Sequence, residues 1–399
     1  MKRSKLLGLL VIVAVVVAAI VVFEPFKKDR ANKVTLGFVT TLSKGPAIIG
    51  KHMQDAVNLA LEHAGGKLGG VETEIIFADD EFDPEVGRLR TEELVQQNKA
   101  DFVAGYIWSN VLLQSRAPVL KAETFLISTN AGPHQLAGEE CSPFFFSTSW
   151  QNDQTPEAMG EYLNQAGIKR IFVLSPNYPA GKDMAAGVRR TFKGEIVGEI
   201  FTPWPGHADW SAEFANIRAM DPKPEAVFAF YPGGAGVKYV KQYDQSGLKN
   251  DIPLYTVFTT DTTTLEAQGD AALGMKATMF WGPDMDNPSN KKFVSEFEKK
   301  YGYTPSSYAA QTYDGIMLID SAVRAVGGNL SDKAAVRKAL EAADFSSVRG
   351  PFKFNTNHFP IQNFYLREVV KGDDGKLMTT IVATVIENGE DAYAKDCKM

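Results

Sequence analysis

From Lys33 onward, short apolar runs typical of β-strands alternate with segments in which apolar residues recur three and four positions apart, as they do on one face of a helix. Val34–Thr40 predicts a strand and His52–Ala64 predicts a helix. The same alternation continues with a strand at Glu72–Ala78 and a helix that begins at Pro84. Repeated strand–helix units of this kind build a parallel sheet covered by helices on both faces.

The alternation pauses at Phe144–Trp150 and then begins again, which predicts a second sheet. Near the C-terminus, Asn363–Lys371 and Met378–Ile386 predict a β-hairpin, which is too short to be a domain and must join an existing lobe. The predicted fold class is therefore α/β, with two doubly wound lobes built on parallel-type central sheets. The predicted strands of the second sheet are Arg170–Leu174, Glu195–Phe201, Ala226–Phe230 and Pro253–Thr256.

The composition is that of an ordinary globular protein, with 44% hydrophobic and 23% charged residues in a chain of 399, which is long enough for two domains. A net charge of −6 gives no basic footprint, so no nucleic-acid partner is expected. No cofactor motif is complete, and we expect no cofactor. We also expect no metal centre, because neither the cysteines nor the histidines stand at ligand spacing; the histidines are His52, His63, His134, His207 and His358.

The first 32 residues predict export. A basic start, MKRSK, precedes an apolar run, Leu6–Phe23, as in a secretory signal peptide. At about 1.5 Å per residue the run is also just long enough to span a bilayer as an uncleaved anchor. Residues 1–32 are thus a signal peptide or an N-terminal membrane anchor, and the sequence leaves both open.

Cys141 and Cys397 are the two cysteines of the chain. In an exported protein such a pair favours a disulfide bond, which would fix the C-terminal tail. Two unpaired thiols stay the alternative, because separation along the sequence says nothing about distance in space.

The stretch FAFYPGGAGVKYV, Phe228–Val240, is glycine-rich but does not bind phosphate by a known motif. It lacks the Gly-Lys-Ser/Thr ending of a P-loop and the third glycine of the dinucleotide fingerprint. A strand that ends just before a glycine-opened helix places Tyr231, Pro232 and Gly233 at the carboxyl end of that strand. Open α/β sheets bind ligands there.

The carboxylates of ADDEFDP, Ala78–Pro84, are the one cluster that an acid–base enzyme would use. The simpler interpretation is a strand-to-helix loop in which Asp83 caps the helix that Pro84 begins. No nucleophile, base or metal site accompanies Asp79 and Asp80, so the sequence favours a binding protein over an enzyme.

Several stretches in order resemble the type I periplasmic binding proteins, in particular the branched-chain amino-acid (leucine/isoleucine/valine) binding family that supplies ABC importers. The resemblance covers Lys33 to about Lys371. The stretches that carry it include VTLGFVTTLSKGPAIIGKHMQDAVNLALE, ADDEFDPEVG, GYIWSN, ISTNAGP, FFFSTSWQNDQ, SPNYPAGKD, DWSAEFANIRAMDPKPEAVFAFYPGG, GDAALGM and YDGIMLIDSAV.

This resemblance implies two lobes that close on a small ligand, joined by crossings near Ser149–Gln151, Gly274–Lys276 and Phe359–Asn363. Lobe one would contain residues 33–149 and 277–360, and lobe two residues 150–276 and 361–399. Ligand binding would favour the closed state that an ABC permease in the membrane recognises.

The resemblance also implies a binding site. Ser109 matches the family's serine whose hydroxyl holds the ligand carboxylate, and it stands at a helix start, where an anion is favoured; a plain N-cap role is the alternative. The remaining matches are the loop Asn130, Ala131 and Gly132, whose backbone would face the ligand, the apolar residue Ile49 before Gly50, and, on lobe two, Tyr178, Tyr231, Pro232 and Gly233.

One departure concerns the ligand amine. Where amino-acid binders of the family carry an acidic residue, this chain has Phe258, and an uncompensated ammonium in a closed cleft would be costly. Asp261 is the candidate substitute. The aromatic residues near the expected cleft favour an aromatic acid or a large apolar amino acid; they are Tyr106, Trp108, Trp150, Tyr178, Tyr231 and Phe258.

Three functions follow from the sequence, in decreasing order of support. The first is a solute-binding protein that hands a small organic carboxylate to an ABC importer. The second is a membrane-tethered sensing domain that signals through a partner chain. The third is an exported α/β enzyme using the carboxylates of ADDEFDP.

Overall fold

A computed structural model describes residues 33–399. The predicted signal or anchor segment lies outside the described residues. Among the described helices, none is long and apolar enough to cross a bilayer.

The first sheet follows from the first run of strand–helix units. Its strands are β1 (Lys33–Thr40), β2 (Glu72–Asp79), β3 (Phe102–Gly105), β4 (Phe125–Ser128) and β5 (Phe145–Ser147). Their order in the sheet is β2-β1-β3-β4-β5, and β1, β3, β4 and β5 pair in parallel. All residues of β3, β4 and β5 are buried, because helices cover both faces of a parallel sheet.

The second sheet repeats this order and adds an antiparallel edge. Its strands are β6 (Arg170–Pro176), β7 (Glu195–Thr202), β8 (Ala226–Ala229), β9 (Leu254–Thr256), β10 (Lys276–Met279), β11 (Lys353–Phe354), β12 (Pro360–Lys371) and β13 (Leu377–Gly389). The order β7-β6-β8-β9-β10 is parallel, and β12 pairs antiparallel with β10 and with β13. The predicted C-terminal hairpin is confirmed and joins this sheet.

Helices connect the strands and cover the sheets. They are α1 (Ala47–His63), α2 (Pro84–Gln96), α3 (Ser109–Lys121), α4 (His134–Ala137), α5 (Gln154–Gln165), α6 (Pro179–Thr191), α7 (Ser211–Ala219), α8 (Gly233–Gln245), α9 (Leu248–Asp251), α10 (Thr262–Gln268), α11 (Pro288–Tyr301), α12 (Ser307–Ala325) and α13 (Lys333–Ala342). We call the first sheet with α1–α4 and α11–α13 lobe one, and the second sheet with α5–α10 lobe two. In lobe one α2 packs on α3, whereas α1 packs on α12.

Two details differ from the sequence prediction. The pause at Phe144–Trp150 contains a short strand, β5, which completes the first sheet. The boundary predicted between residues 276 and 277 falls inside β10, which pairs with both β9 and β12. The chain therefore leaves the second sheet only after Met279.

The C-terminal tail returns to lobe one. After β13, Asn357 donates a hydrogen bond to Asp391 at 2.9 Å, and Cys397 forms the predicted disulfide with Cys141, with the two Cα atoms 5.6 Å apart. Tyr393 lies between these points and donates from its hydroxyl to Asp153 at 2.9 Å. The tail is thus fixed to both lobes beside the first crossing.

Arg349 connects the crossings between the lobes. Its guanidinium donates to the carbonyls of Thr148 (2.6 Å) and Ser149 (3.1 Å) in the first crossing, and to Gln362 Oε1 (2.7 Å) in the third. In the second crossing, the ring of Phe280 lies under the guanidinium, with its centroid 5.4 Å away. Asp314 on α12 accepts from Arg349 Nε at 3.0 Å, which anchors this cation in lobe one.

Candidate functional site

A cavity lies between the lobes, at the carboxyl ends of strands from both sheets. This is the position at which open α/β sheets bind ligands. The lining residues that the sequence predicted are Trp108, Ser109, Asn130, Ala131, Trp150, Tyr178, Pro232 and Phe258. Those that it missed are Ile107, Asn152, Ala180, Met184, Phe230 and Tyr308.

The lining is uncharged and largely aromatic. Within residues 33–399, the side chains that line the cavity include no carboxylate, lysine, arginine or histidine. The hydroxyl- and amide-bearing side chains of the lining are Ser109, Asn130, Asn152, Tyr178 and Tyr308. A flat apolar molecule with few polar atoms suits such a surface.

Ser109 opens helix α3 against the cavity. Trp108, not Ser109, is the N-cap residue, and no side chain caps this helix start. The first N–H groups of an α-helix have no partner within the helix, and together with the helix dipole they favour an anion. Ser109 is 1% exposed and its hydroxyl accepts a hydrogen bond from Asn152 Nδ2 at 3.1 Å. The plain N-cap alternative for Ser109 is therefore not the geometry observed.

The loop Asn130–Gly132 lies at the cavity, but much of its polar surface is used within the protein. Asn130 Nδ2 donates to the Ile107 carbonyl at 2.6 Å, and the Ala131 N–H donates to the Tyr106 carbonyl at 3.0 Å. The Gly132 N–H donates to Asn152 Oδ1 at 3.1 Å. The backbone N–H groups of Ala131 and Gly132 are thus engaged within the protein, while Ala131 itself lines the cavity.

Gly132 is required for a different reason. A Cβ at this position would lie 1.9 Å from the Trp150 carbonyl oxygen. The glycine therefore lets the first crossing pass directly over the loop, which brings Trp150 to the cavity.

Asn152 connects the ligand cavity to both lobes. Besides Ser109, its Nδ2 donates to Asp183 Oδ2 of α6 at 2.9 Å. Asp183 in turn pairs with His134 Nδ1 of lobe one at 2.7 Å. This hydrogen bond raises the pKa of His134. The polar chain Ser109–Asn152–Asp183–His134 thus crosses between the lobes.

Trp150 and Phe258 form a stacked pair at the cavity. Their ring centroids are 4.4 Å apart with an interplanar angle of 27°, and the ring of Phe280 lies 5.6 Å from Trp150 and 6.4 Å from Phe258. Phe258 adopts a left-handed backbone conformation, with φ of 55°. Such backbone strain is found at sites where surrounding contacts hold a side chain in place.

The two phenols of the lining stay neutral. Burial raises the pKa of Tyr178 and of Tyr308, so each hydroxyl keeps its proton and can donate a hydrogen bond. Tyr308 follows the N-cap of α12 and is 2% exposed.

Asp261 does not reach the cavity. It caps α10 by accepting from the Thr263 N–H at 3.2 Å, and its other oxygen accepts from the Ser307 hydroxyl at 2.8 Å. Both carboxylate oxygens are therefore engaged elsewhere. The suggestion that Asp261 replaces the missing acid at Phe258 is not supported by this geometry.

Tyr231 also lies away from the cavity, in the core of lobe two. Its hydroxyl bonds to Thr202 Oγ1 at 3.0 Å and its ring packs on Tyr239 at 4.7 Å. Side chains alternate between the two faces of a strand, so Phe230 points to the cavity and Tyr231 to the opposite side.

Gly233 and Ile49 meet where the lobes approach each other, beside the cavity. A Cβ on Gly233 would be 3.4 Å from Ile49 Cδ1, and Gly233 has a φ of 57°. Ile49 is fully buried but does not line the cavity. The positive φ, rather than a lack of space, favours glycine here, while Pro232 lines the cavity itself.

The carboxylates of ADDEFDP have structural partners. Asp83 caps α2, accepting from the N–H of Glu85 at 2.8 Å, as predicted. Asp79 accepts from the Leu42 N–H at 2.9 Å, and Asp80 accepts from the Thr41 hydroxyl at 2.6 Å. Burial raises the pKa of Asp80 to about 6. These side chains build a loop, and none of them lines the cavity.

Comparison with known proteins identifies the family. A periplasmic binding protein family model matches residues 33–376. The chain belongs to the periplasmic binding proteins. Membership implies an exported, periplasmic protein of the ABC-transporter substrate-binding type, and the proteins of this family bind solutes rather than catalyse reactions.

Relatives of this periplasmic binding protein include members of the branched-chain amino-acid binding family. The Leu/Ile/Val-binding protein homolog 6 of Brucella melitensis biotype 1 is 28% identical over 371 residues, which are 90% of this chain and 93% of the relative. A LivJ protein from Streptococcus pneumoniae, solved with isoleucine, shares the fold with a TM-score of 0.77 and 21% identity, covering 88% of this chain and 99% of that one.

A solved solute-binding protein of an ABC transporter from R. palustris, in complex with benzoate, is more similar. It has a TM-score of 0.86 and 33% identity, and the match covers 92% of this chain and all of the other, 100%. A second such protein, from Rhodopseudomonas palustris BisB5 in complex with 3,4-dihydroxybenzoic acid, has a TM-score of 0.82 and 28% identity, with 90% and 99% coverage.

Proposed function

We propose that this periplasmic binding protein captures an aromatic carboxylate without an amine, of the benzoate type, and delivers it to an ABC permease for import. The observation that carries the proposal is the cavity itself, which is lined by aromatic rings, carries no charged side chain among the described residues, and borders the start of α3, which no side chain caps.

The ligand carboxylate would bind at the start of α3. The Ser109 hydroxyl and the free N–H groups of the first helical turn supply donors for an anion without a buried lysine or arginine. Asn152 holds the hydroxyl of Ser109 by donating to it, which leaves the Ser109 proton free to point at a carboxylate oxygen.

The ligand ring would pack among the aromatic side chains. Trp108 and Tyr178 bring one ring from each lobe, and the Trp150–Phe258 stack brings a flat face. Aromatic pairs of this kind add about 0.5–1.5 kcal/mol beyond simple burial. Because the rings come from both lobes, the ligand stabilises the closed state relative to the open one.

The amine argument excludes most amino acids. A buried ammonium without a paired carboxylate is strongly disfavoured. Phe258 occupies the position where amino-acid binders of the family have an acid, and Asp261 is engaged by Thr263 and Ser307. The benzoate and dihydroxybenzoate complexes of the two R. palustris proteins support the same ligand class.

The test compares two matched ligand panels. Benzoate, 4-hydroxybenzoate and phenylpropanoate form one panel, and leucine, isoleucine and phenylalanine the other, each measured by thermal shift and titration calorimetry. A ligand at 100 times its dissociation constant adds about 2.7 kcal/mol to the free energy of unfolding. We expect stabilisation by the amine-free acids alone, with the ligand recovered unchanged. Stabilisation by the amino acids alone would refute the proposal and favour a large apolar amino acid as ligand.

Anchoring is a separate prediction. An uncleaved Leu6–Phe23 segment would keep the protein on the membrane, which is also the arrangement that a tethered sensor requires. Mass spectrometry of the exported protein decides this: a soluble product without residues 1–32 would contradict the tethered sensor.

A further inference from the structure

Four aromatic rings form a cluster across the two lobes at the outer side of the cavity. Phe82 and Trp108 belong to lobe one, and Tyr178 and Trp204 belong to lobe two. Trp204 lies 5.6 Å from Phe82, 5.8 Å from Trp108 and 5.1 Å from Tyr178, measured between ring centroids. Phe82 and Trp108 are 4.6 Å apart. We call these four residues the aromatic clasp.

The clasp has an inner and an outer layer. Trp108 and Tyr178 line the cavity and are buried. Phe82 and Trp204 do not line the cavity and are half-buried, so they cover the inner pair from the solvent side. The contact between Phe82 and Trp204 joins the lobes without touching the space where the ligand would sit.

The loop that carries Phe82 is held in an unusual conformation. Glu81 and Phe82 both have positive φ angles, 51° and 61°, in the left-handed region that residues other than glycine rarely adopt. Asp79 and Asp80 hold this loop by accepting hydrogen bonds at 2.9 Å from the backbone N–H of Glu81 and of Phe82, respectively. Strain of this type persists only where surrounding contacts impose it.

Asp80 also positions Trp108, which is the inner ring of lobe one. Asp80 Oδ1 accepts from the Thr41 hydroxyl at 2.6 Å, and Thr41 Oγ1 accepts from Trp108 Nε1 at 2.9 Å. Asp80 therefore fixes Phe82 through the backbone and Trp108 through Thr41. This gives the acidic ADDEFDP segment, which has no part in the cavity lining, a role in arranging the clasp.

We propose that Phe82 and Trp204 are positioning residues that retain the bound ligand, acting by holding the lobes closed over Trp108 and Tyr178. This inference rests on the proposed function, because it concerns the release of the ligand from that cavity. Contacts across the lobes exist only in the closed state, and ligand leaves through the open state. Loss of the outer rings therefore raises the dissociation rate, whereas association, which starts from the open state, changes little.

The experiment measures the two rate constants for benzoate separately, by stopped-flow fluorescence and displacement, on the wild-type protein and on Phe82→Leu and Trp204→Leu variants. Loss of one aromatic contact should make the dissociation rate constant about three to ten times larger in each variant. The double variant should dissociate no faster than Trp204→Leu alone, because Trp204→Leu already removes the contact across the lobes that Phe82→Leu removes. Trp204→Phe should restore most of the retention.

The control is Phe345→Leu, which removes a half-buried ring whose partner Phe352, 5.2 Å away, lies outside the clasp. It should leave both rate constants unchanged. Dissociation rates of Phe82→Leu and Trp204→Leu that match those of Phe345→Leu would overturn the proposal, as would slower association with unchanged dissociation.

Benzoate binding to the wild-type protein distinguishes a wrong ligand assignment from a wrong role for the clasp. If benzoate does not bind it, the proposed ligand is wrong, and the clasp is then measured without ligand by small-angle X-ray scattering. The clasp predicts a larger radius of gyration for the Phe82→Leu/Trp204→Leu double variant than for the wild type and for Phe345→Leu. Equal values would refute the clasp.

Discussion

The lobes of this protein meet at a hinge and at a cleft, and the two regions treat buried polar groups in opposite ways. At the hinge, Arg349 is a buried cation whose guanidinium is paired on each side, with Asp314, Gln362, and the carbonyls of Thr148 and Ser149. At the cleft, the described lining has no charge, and the uncapped start of α3 leaves donors without a partner.

This difference separates the polar groups that fix the structure from those that are available to bind a ligand. Satisfied polar groups fix one geometry, since any movement leaves a buried group unpaired. Donors without a partner are costly when buried, so they favour a state in which a ligand accepts hydrogen bonds from them. The hinge therefore fixes where the lobes join, and the cleft determines what they close upon. Four substitutions test this contrast.

The largest effect is expected at the hinge. Burial raises the pKa of Asp314 and lowers that of Arg349, so each ion depends on the other for its charge. Arg349→Leu leaves the Asp314 carboxylate buried and unpaired, and should reduce the free energy of unfolding by about 3–5 kcal/mol in urea titrations. The matched control is Arg90→Leu, which breaks the Arg90–Glu93 pair on α2, whose side chains are 48% and 47% exposed. It should cost less than about 1 kcal/mol. Similar losses for both would contradict the contrast.

The second prediction puts a charge into the cleft. Phe258→Asp is compatible with the positive φ of this position, because aspartate tolerates that region better than most residues. The added carboxylate should weaken benzoate binding more than about 100-fold, because it is buried without a partner and repels the carboxylate of the ligand. Phe258→Leu, which removes the ring without adding charge, should lose far less. Titration calorimetry of both variants measures this, and equal losses would mean that charge is not what the cleft excludes.

The third prediction concerns the anion donor. Ser109→Ala removes one hydrogen bond to a charged group, which corresponds to about 10- to 100-fold weaker benzoate binding. Ser115 is the internal control, since it lies on the same helix, is fully buried, and its hydroxyl has no hydrogen-bond partner among the described residues. Ser115→Ala should leave the affinity unchanged. An unchanged affinity in Ser109→Ala would mean that Ser109 does not contribute to ligand binding.

The smallest effect is expected from pH. Asp183 raises the pKa of His134, with Asp153 adding to the shift and burial and Arg190 opposing it. A histidine with a raised folded-state pKa gives stabilisation that is complete below its unfolded pKa, about 6.5, and is lost as pH rises through the higher folded value. Because this pair joins the lobes, the affinity advantage of the wild type over His134→Gln should be a few-fold below pH 6.5 and decline above it. A ratio that does not change between pH 5.5 and 8.5 would contradict this role.

Part of the site could be predicted from the sequence because its residues come directly after the ends of strands. Trp108, Ser109 and Asn130 come just after strands β3 and β4, whose carboxyl ends are local features of the chain. Tyr231 was misplaced by a single residue. Both faces of β8 are buried, so the apolar pattern does not indicate which of Phe230 and Tyr231 faces the cavity.

Other parts of the site gave no local signal. Tyr308 reaches the cavity from a helix start far along the chain, and Asn152 joins Ser109 to Asp183 only because the lobes are closed. Phe82 and Trp204 lie in unrelated loops of different lobes. Contacts of this kind depend on how two separately folded sheets are set against each other, which periodicity does not encode.

The sequence by itself determined the α/β class, the two sheets, most strand and helix positions, the helix cap at Asp83 and the absence of an acid at Phe258, because each of these depends on neighbouring residues or on a repeated period. The tertiary structure alone decided that Asp261 is engaged outside the cavity, that Arg349 connects the three crossings, and that four rings meet across the lobes. The physical reason is distance along the chain: burial and pairing between remote segments are properties of the packed molecule.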